Sequence, residues 1–195
     1  MVFPFFKALG TLFTRGDDNS GIISLNMNFG FFSRCYSELT ISTNGYVYFD
    51  GSNSIYALNY YIDTRSSGGI YYKNLNSTSN DFNSIKSDIN RLNSAFNPTN
   101  LFRITYDNVP DYGTHKLIAS FQIILATNGS SSYVLLKYTS CLSNRTLIRT
   151  PGIYYTLSNG QASSSTFSNP CSSSNVNLRG TWVFDVTSGL VIFNS

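Results

Sequence analysis

Leu39-Thr40-Ile41-Ser42-Thr43-Asn44-Gly45-Tyr46-Val47-Tyr48-Phe49 is the stretch on which the fold class turns. Two runs rich in β-branched and aromatic residues flank Asn44-Gly45, a dipeptide that suits a two-residue type I′ turn because both positions need positive φ. Such a loop predicts a hairpin with Ile41 opposite Tyr48 and Ser42 opposite Val47. Apolar groups then fall on both faces, as in a sheet covered on one side and partly covered on the other. Upstream, Ile23, Leu25, Met27 and Phe29 alternate with Ser24, Asn26 and Asn28, the period of a half-buried strand.

Downstream, Ile70 to Tyr72, Leu101 to Tyr106, Lys116 to Ala126, Tyr133 to Tyr138, Gly152 to Leu157 and Trp182 to Val186 read as strands. The Lys116 to Ala126 run is nearly continuously apolar, which places it centrally in its sheet. Thr127-Asn128-Gly129-Ser130 turns it back onto Tyr133 to Tyr138. One segment changes period: Phe82, Ile85, Ile89, Leu92 and Phe96 line one helical face, with Asn80 or Asp81 available as cap and Pro98 beyond the end. A single amphipathic helix is expected over residues 81–96, with Asn83, Lys86, Asp88 and Asn90 on its solvated side. The Ser-rich stretch Ala162 to Ser174 reads as a loop. The expected fold is mainly β, a layered antiparallel β-sandwich-like domain with one principal α-helix, and residues 1–195 form one domain.

Composition agrees. Only 12% of residues are charged, while Tyr (14) and Phe (15) are abundant, and the surface residues typical of soluble helices are scarce. A net charge of +3 without any run of Lys or Arg gives no footprint for nucleic acid. No apolar stretch is long enough to span a bilayer as a helix, so no direct membrane insertion is expected of this domain. The N-terminal Met-Val-Phe-Pro-Phe-Phe-Lys has Pro4 and Lys7 inside its apolar part and does not read as a signal peptide.

The residue types needed for catalysis are sparse. One histidine, His115, sits in the turn-rich run Asp111-Tyr112-Gly113-Thr114-His115-Lys116 and reads as a surface residue. The three cysteines show neither CxxC nor a nucleophile context, and Asp17-Asp18 with Asn19 and Gly21 lacks the calcium-loop spacing. No glycine-rich phosphate loop links a strand to a helix. The chain is therefore read as a non-enzyme, without cofactor or metal. An odd cysteine count allows at most one intramolecular disulfide. Cys141 and Cys171 bracket a turn-rich segment whose closure contributes roughly 3–4 kcal/mol in the chain-entropy account, with three reduced thiols as the alternative. Asn76, Asn128 and Asn144 head Asn-x-Ser/Thr triplets and are candidate N-glycosylation sites.

Several motifs then fall in the order found in one family. Gly16-Asp17, Phe29-Gly30-Phe31-Phe32, Tyr36 and the block Ser42 to Phe49 lead into Asp63-Thr64-Arg65 and Gly69-Ile70-Tyr71-Tyr72. Ile104 to Val109, Ser120 to Gly129 and Gly180-Thr181-Trp182-Val183-Phe184 follow. The chain resembles the NIDO domain, the nidogen-like extracellular domain, over residues 13–187. Leu58-Asn59-Tyr60-Tyr61-Ile62 departs from the Pro-Phe-Trp-Ala-Asp type of sequence usual in the family before Asp63. The resemblance implies a secreted or cell-surface location and a role in cell–matrix adhesion or matrix assembly, with an extracellular matrix or cell-surface protein as partner. It supplies no catalytic residues.

Two further readings concern what is bound. Arg15-Gly16-Asp17 is a tripeptide of the kind integrins recognise, set among turn-forming residues that favour exposure. The alternative function is a carbohydrate-binding β-sandwich module, in which Tyr46, Tyr48, Tyr60, Tyr61, Tyr71 and Tyr72 would offer ring faces to sugars. Alternating aromatics more often fill a packed face, and coplanar exposed rings would favour the sugar reading.

Overall fold

The computed structural model describes residues 10–32, 34–140 and 147–187. Its strands, in chain order, are β1 Thr11–Leu12, β2 Ser20–Phe31, β3 Arg34–Ser42, β4 Tyr46–Tyr48, β5 Ser54–Tyr56 and β6 Gly69–Leu75. After the helix α1, Asn80–Ile89, come β7 Asn100–Pro110, β8 Leu117–Thr127, β9 Ser132–Ser140, β10 Gly152–Thr156, β11 Ala162–Thr166 and β12 Thr181–Asp185. They form two antiparallel six-stranded sheets. Sheet A has the order β1-β6-β7-β8-β9-β12 and sheet B the order β11-β10-β5-β4-β3-β2. Strand accounts for 50% of the structure and helix for 6%, which is the mainly-β sandwich expected, with β8 inside its sheet.

The main core lies between the sheets. Phe102, Ile104 and Tyr106 of β7, Phe121 and Ile123 of β8, and Leu136 and Tyr138 of β9 meet Leu39, Ile41, Val47, Ile55 and Ile153 of sheet B. Alternation along each strand puts these residues on one face, and their burial drives the sheets together. Two buried phenols then cross the sandwich: Tyr106 Oη donates to Ser42 O (2.7 Å) and Tyr138 Oη to Ala57 O (2.7 Å). Burial pushes both phenols above their ordinary pKa, so they remain neutral donors.

The turn between β3 and β4 departs from expectation. The strands pair Thr40 with Tyr48, Ile41 with Val47 and Ser42 with Tyr46, leaving a three-residue loop of Thr43, Asn44 and Gly45. Only Gly45 has positive φ (+86°), and an added Cβ there would approach Leu58 Cβ to 2.9 Å. The register is thus one residue off the two-residue prediction. Its consequence is a clean separation: Ile41 and Val47 share the buried face, and Tyr46 and Tyr48 face outward with Thr40. The Ser-rich stretch is also corrected, because its first part is β11, paired with β10 from Gly152↔Thr166 to Thr156↔Ala162.

The second core lies on the other side of sheet A. Phe82, Ile85 and Ile89 of α1, with Phe96 and the partly buried Leu92, cover Leu101, Ile124, Tyr133 and Leu135. The five-residue apolar face is therefore as expected, but the α-helix ends at Ile89 instead of continuing to residue 96. Beyond it the chain turns tightly, with Leu92 N donating to Ile89 O and Asn93 Oδ1 accepting from Ala95 N. The cap is Ser79, whose Oγ accepts from Phe82 N, where Asn80 or Asp81 was anticipated. Asp88 does not belong to the solvated side: it is 2% exposed and ion-paired with Lys137 of β9 beneath the helix. Asp81, in the first helical turn, pairs likewise with the buried Arg103 of β7 at 2.7 Å. Charged contacts thus hold both ends of α1 on sheet A.

Candidate binding surfaces

The loops at one end of the sandwich gather the tripeptide. Gly16 and Thr64 are joined by reciprocal bonds: Gly16 N donates to Thr64 Oγ1 (3.0 Å) and Thr64 N to Gly16 O (2.9 Å). Arg15 Nη1 donates to Thr64 O (2.8 Å), and Asp17 forms an isolated antiparallel bridge with Asp63. Asp63 is buried and receives Arg65 through both carboxylate oxygens at 2.8 Å, while Arg65 also lies 3.6 Å from Asp17. The Arg65 hydrogen bonds outweigh burial and hold the Asp63 carboxyl below the ordinary range. Burial, then the Asp18 charge, raises that of Asp17. Arg15 is therefore exposed but tethered to Thr64, and the Asp17 carboxylate faces Arg65. His115 is a surface residue, its Nδ1 3.9 Å from Asp63. Among the described residues no group of three or more His, Cys, Asp or Glu side chains is arranged to hold a metal ion.

A second surface lies on the outer face of sheet B. Tyr46 and Tyr56 are cross-strand partners with ring centroids 4.8 Å apart and planes 21° apart, and Tyr48 lies 6.2 Å from Tyr46 at 30°. Tyr154 of β10 meets Tyr56 edge-on at 5.2 Å. The Arg149 guanidinium sits 3.9 Å over the Tyr154 ring and 4.8 Å over that of Tyr56. Tyr154 Oη donates to Thr150 O (2.8 Å), fixing the segment that carries Arg149. Together these residues, with Asp50, Ser52, Ser54 and Thr156, line a groove of about 520 Å³. That volume lies in the ~300–1,000 Å³ range of small-ligand sites.

Of the six tyrosines expected to form a platform, only Tyr46 and Tyr48 reach this groove. Tyr60 is buried beside the exposed Tyr61, and Tyr71 and Tyr72 belong to β6 in the other sheet. Sequence reasoning missed Tyr56, Tyr154 and Arg149. Alternation in Ser54-Ile55-Tyr56 and Ile153-Tyr154-Tyr155 is the signal that would have found the two rings; nothing local marks Arg149.

One end of the groove is set by Asp50. Its Oδ2 accepts from Tyr36 Oη (2.5 Å), Asn53 Nδ2 (2.9 Å) and Arg34 Nη1 (3.0 Å), and its Oδ1 from the amides of Ser52 and Asn53. Burial opposes the charge, but these hydrogen bonds overcome it and hold the carboxyl well below the ordinary range. A depressed folded-state pKa gives stability that is present above the unfolded value, about 3.9, and is lost as pH falls through the folded one. Asp50→Asn should therefore lower the thermal midpoint at pH 7, and its deficit against the parent should shrink from about pH 4 downward. A deficit that stays constant to pH 2.5 would show that the Asp50 charge does not stabilise the fold.

The remaining sequence candidates lie elsewhere. Asn76 is exposed and its Oδ1 accepts from Thr78 N and Oγ1; Asn128, in the β8–β9 turn, accepts from Ser130 N and Ser131 N. Asn144 and Cys141 fall outside the described residues. Cys171 packs against the main core, and Cys35 is a free, exposed thiol on β3.

Two antiparallel sheets face to face, one docked helix and surface sites confined to loops and an outer sheet face place the molecule in the β-sandwich class. The nidogen-like domain (NIDO) family matches residues 19–188, nearly the whole chain, and the chain belongs to that family. The family is one of extracellular modules. No curated protein and no solved structure matches the chain. Among the described residues no helix is long and apolar enough to cross a membrane.

Proposed function

We propose that this chain is a non-catalytic extracellular binding module that takes part in cell–matrix adhesion or matrix assembly. Its partner is an extracellular matrix or cell-surface protein. The observation that carries this reading is the family match over residues 19–188. The outer face of sheet B supports it, since Tyr, Ser and Thr supply contact area and adaptable hydrogen bonds at low entropic cost. Cells plated on the purified domain are expected to attach. The Arg15-Gly16-Asp17 contribution is tested by Asp17→Glu, which keeps the charge but lengthens the side chain. Cation-dependent attachment that disappears in this variant, at an unchanged unfolding midpoint, supports integrin-type recognition. Equal attachment of parent and variant assigns adhesion to another surface, and no attachment by the parent removes the adhesion reading.

The same reading includes a Cys141–Cys171 disulfide and glycans on Asn76, Asn128 or Asn144. Cys35, free and exposed on β3, fits a pairing that leaves it out. Protein secreted from a eukaryotic host checks both by mass spectrometry. One alkylatable cysteine after denaturation and glycan on at least one sequon are expected. Three alkylatable cysteines and no glycan would argue for a reducing compartment.

A further inference from the structure

We infer that the tyrosine groove of sheet B is a binding site for an acidic glycan, a chain carrying uronate or sulfate groups. This deepens the adhesion reading by naming what the partner presents to the groove. Tyr46 and Tyr56 stack nearly parallel with Tyr48 beside them at the end of the row, so the aromatic surface left for a ligand is the ring edges and the face of Tyr48. A pyranose ring presents its C–H face to such a surface, against the negative face of the π system, and keeps its hydroxyls at the edge. Those hydroxyls meet Ser52, Ser54 and Thr156, the polar groups that would fix orientation.

Charge makes the choice of an acidic sugar. Two ionised groups line the groove, Asp50 and Arg149. Asp50 is already answered by Arg34 at 3.0 Å and by its hydrogen-bond donors. Among the described residues Arg149 contacts two aromatic rings and no carboxylate. The two rings hold the guanidinium over the groove by cation–π contact, and a carboxylate or sulfate is the group that its N–H donors would receive through two parallel bonds. A neutral sugar would leave that cation unpaired, and a polyanion without flat apolar faces would leave the tyrosines unused.

Titration of the intact domain, followed by tyrosine fluorescence and calorimetry, tests the site with four probes. These are a tetrasaccharide alternating glucuronate and N-acetylglucosamine, a sulfated glucuronate tetrasaccharide, a neutral N-acetylglucosamine tetramer and a proline-rich decapeptide. At least one acidic tetrasaccharide should bind more tightly than the neutral one, by about tenfold. The two acidic arms separate carboxylate from sulfate as the recognised group. Tyr46→Ala should weaken the acidic probe by about tenfold, and Arg149→Gln should erase the preference for acid while changing the neutral probe by less than about twofold. Unchanged unfolding midpoints show that both variants fold; should Tyr46→Ala not fold, Tyr48→Ser carries the same test. The inference is overturned by no binding of either acidic probe at millimolar concentration, by equal binding of the neutral tetramer, by binding of the decapeptide alone, or by indifference to both substitutions. Cell attachment that persists in Arg149→Gln and in the presence of the acidic tetrasaccharide would sink this inference and leave the adhesion reading standing.

Discussion

Asp88→Ala is expected to cost about 3–5 kcal/mol of stability, which for a chain of this length lowers the unfolding midpoint by about 10 °C. The cause lies in what remains. Lys137 is 6% exposed, and its Nζ donates to Asp88 Oδ2 between sheet A and the helix, so alanine leaves an ammonium buried without its counter-charge. Arg91, 4.0 Å from the other carboxylate oxygen, is a second cation and gives the ammonium no counter-charge. The pair itself adds little over an apolar contact, because desolvation cancels most of its attraction. Asp88→Leu with Lys137→Met should therefore recover to within about 1 kcal/mol of the parent. Urea unfolding followed by circular dichroism measures both, and a single variant within about 1 kcal/mol of the parent would show that the ammonium reaches water without the helix.

Phe121→Ala should cost about 3–5 kcal/mol by a different route, the loss of buried surface and the cavity left behind. Phe121 stacks on Tyr106 with centroids 4.4 Å apart and lies 6.0 Å from Tyr138, the two phenols that bond across the sandwich. Its ring also touches the β3–β4 turn, since a Cβ on Gly45 would lie 3.2 Å from Phe121 Cζ. Phe121→Leu, which keeps most of the volume, should cost no more than about 1.5 kcal/mol. Equal losses for leucine and alanine would show that ring stacking, and not cavity volume, dominates.

What the sequence revealed and what it hid follow from how far apart the deciding groups are. Strand positions were legible because burial alternates with a period of two, and that signal is local. The register of the first hairpin was not. Asn44-Gly45 reads as a complete two-residue turn, but Asn44 O accepts from Tyr60 N, its Oδ1 from Ile62 N, and Gly45 O from Ala57 and Leu58 N. Partners 12 to 18 residues downstream hold the turn in its wider form. The helix was overextended because Leu92 and Phe96 continue the apolar spacing while the backbone has already turned. Asp88 looked solvated because its partner lies 49 residues away. β11 looked like a loop because an edge strand with only Ser165 buried needs no apolar alternation. At the groove, Tyr46 and Tyr48 were legible within one strand, whereas Arg149 and Tyr154 join them only through the β5–β10 pairing.

The order of strands in the two sheets also governs how the chain reaches this state. β1 starts sheet A, β2 to β5 build sheet B, β6 to β9 return to A, β10 and β11 go back to B, and β12 closes A beside β9. Almost every stabilising pair between the sheets thus joins segments far apart in sequence, so loop entropy must be lost before those pairs repay it. Topologies of this kind fold in milliseconds to seconds, not microseconds. The Phe167–Trp182 stack, at 4.1 Å, forms only after the chain has passed between the sheets for the last time. Until then the apolar inner face of β9 has an unpaired neighbour position, and the interval before β12 docks is when the domain is most exposed to association with other unfinished chains.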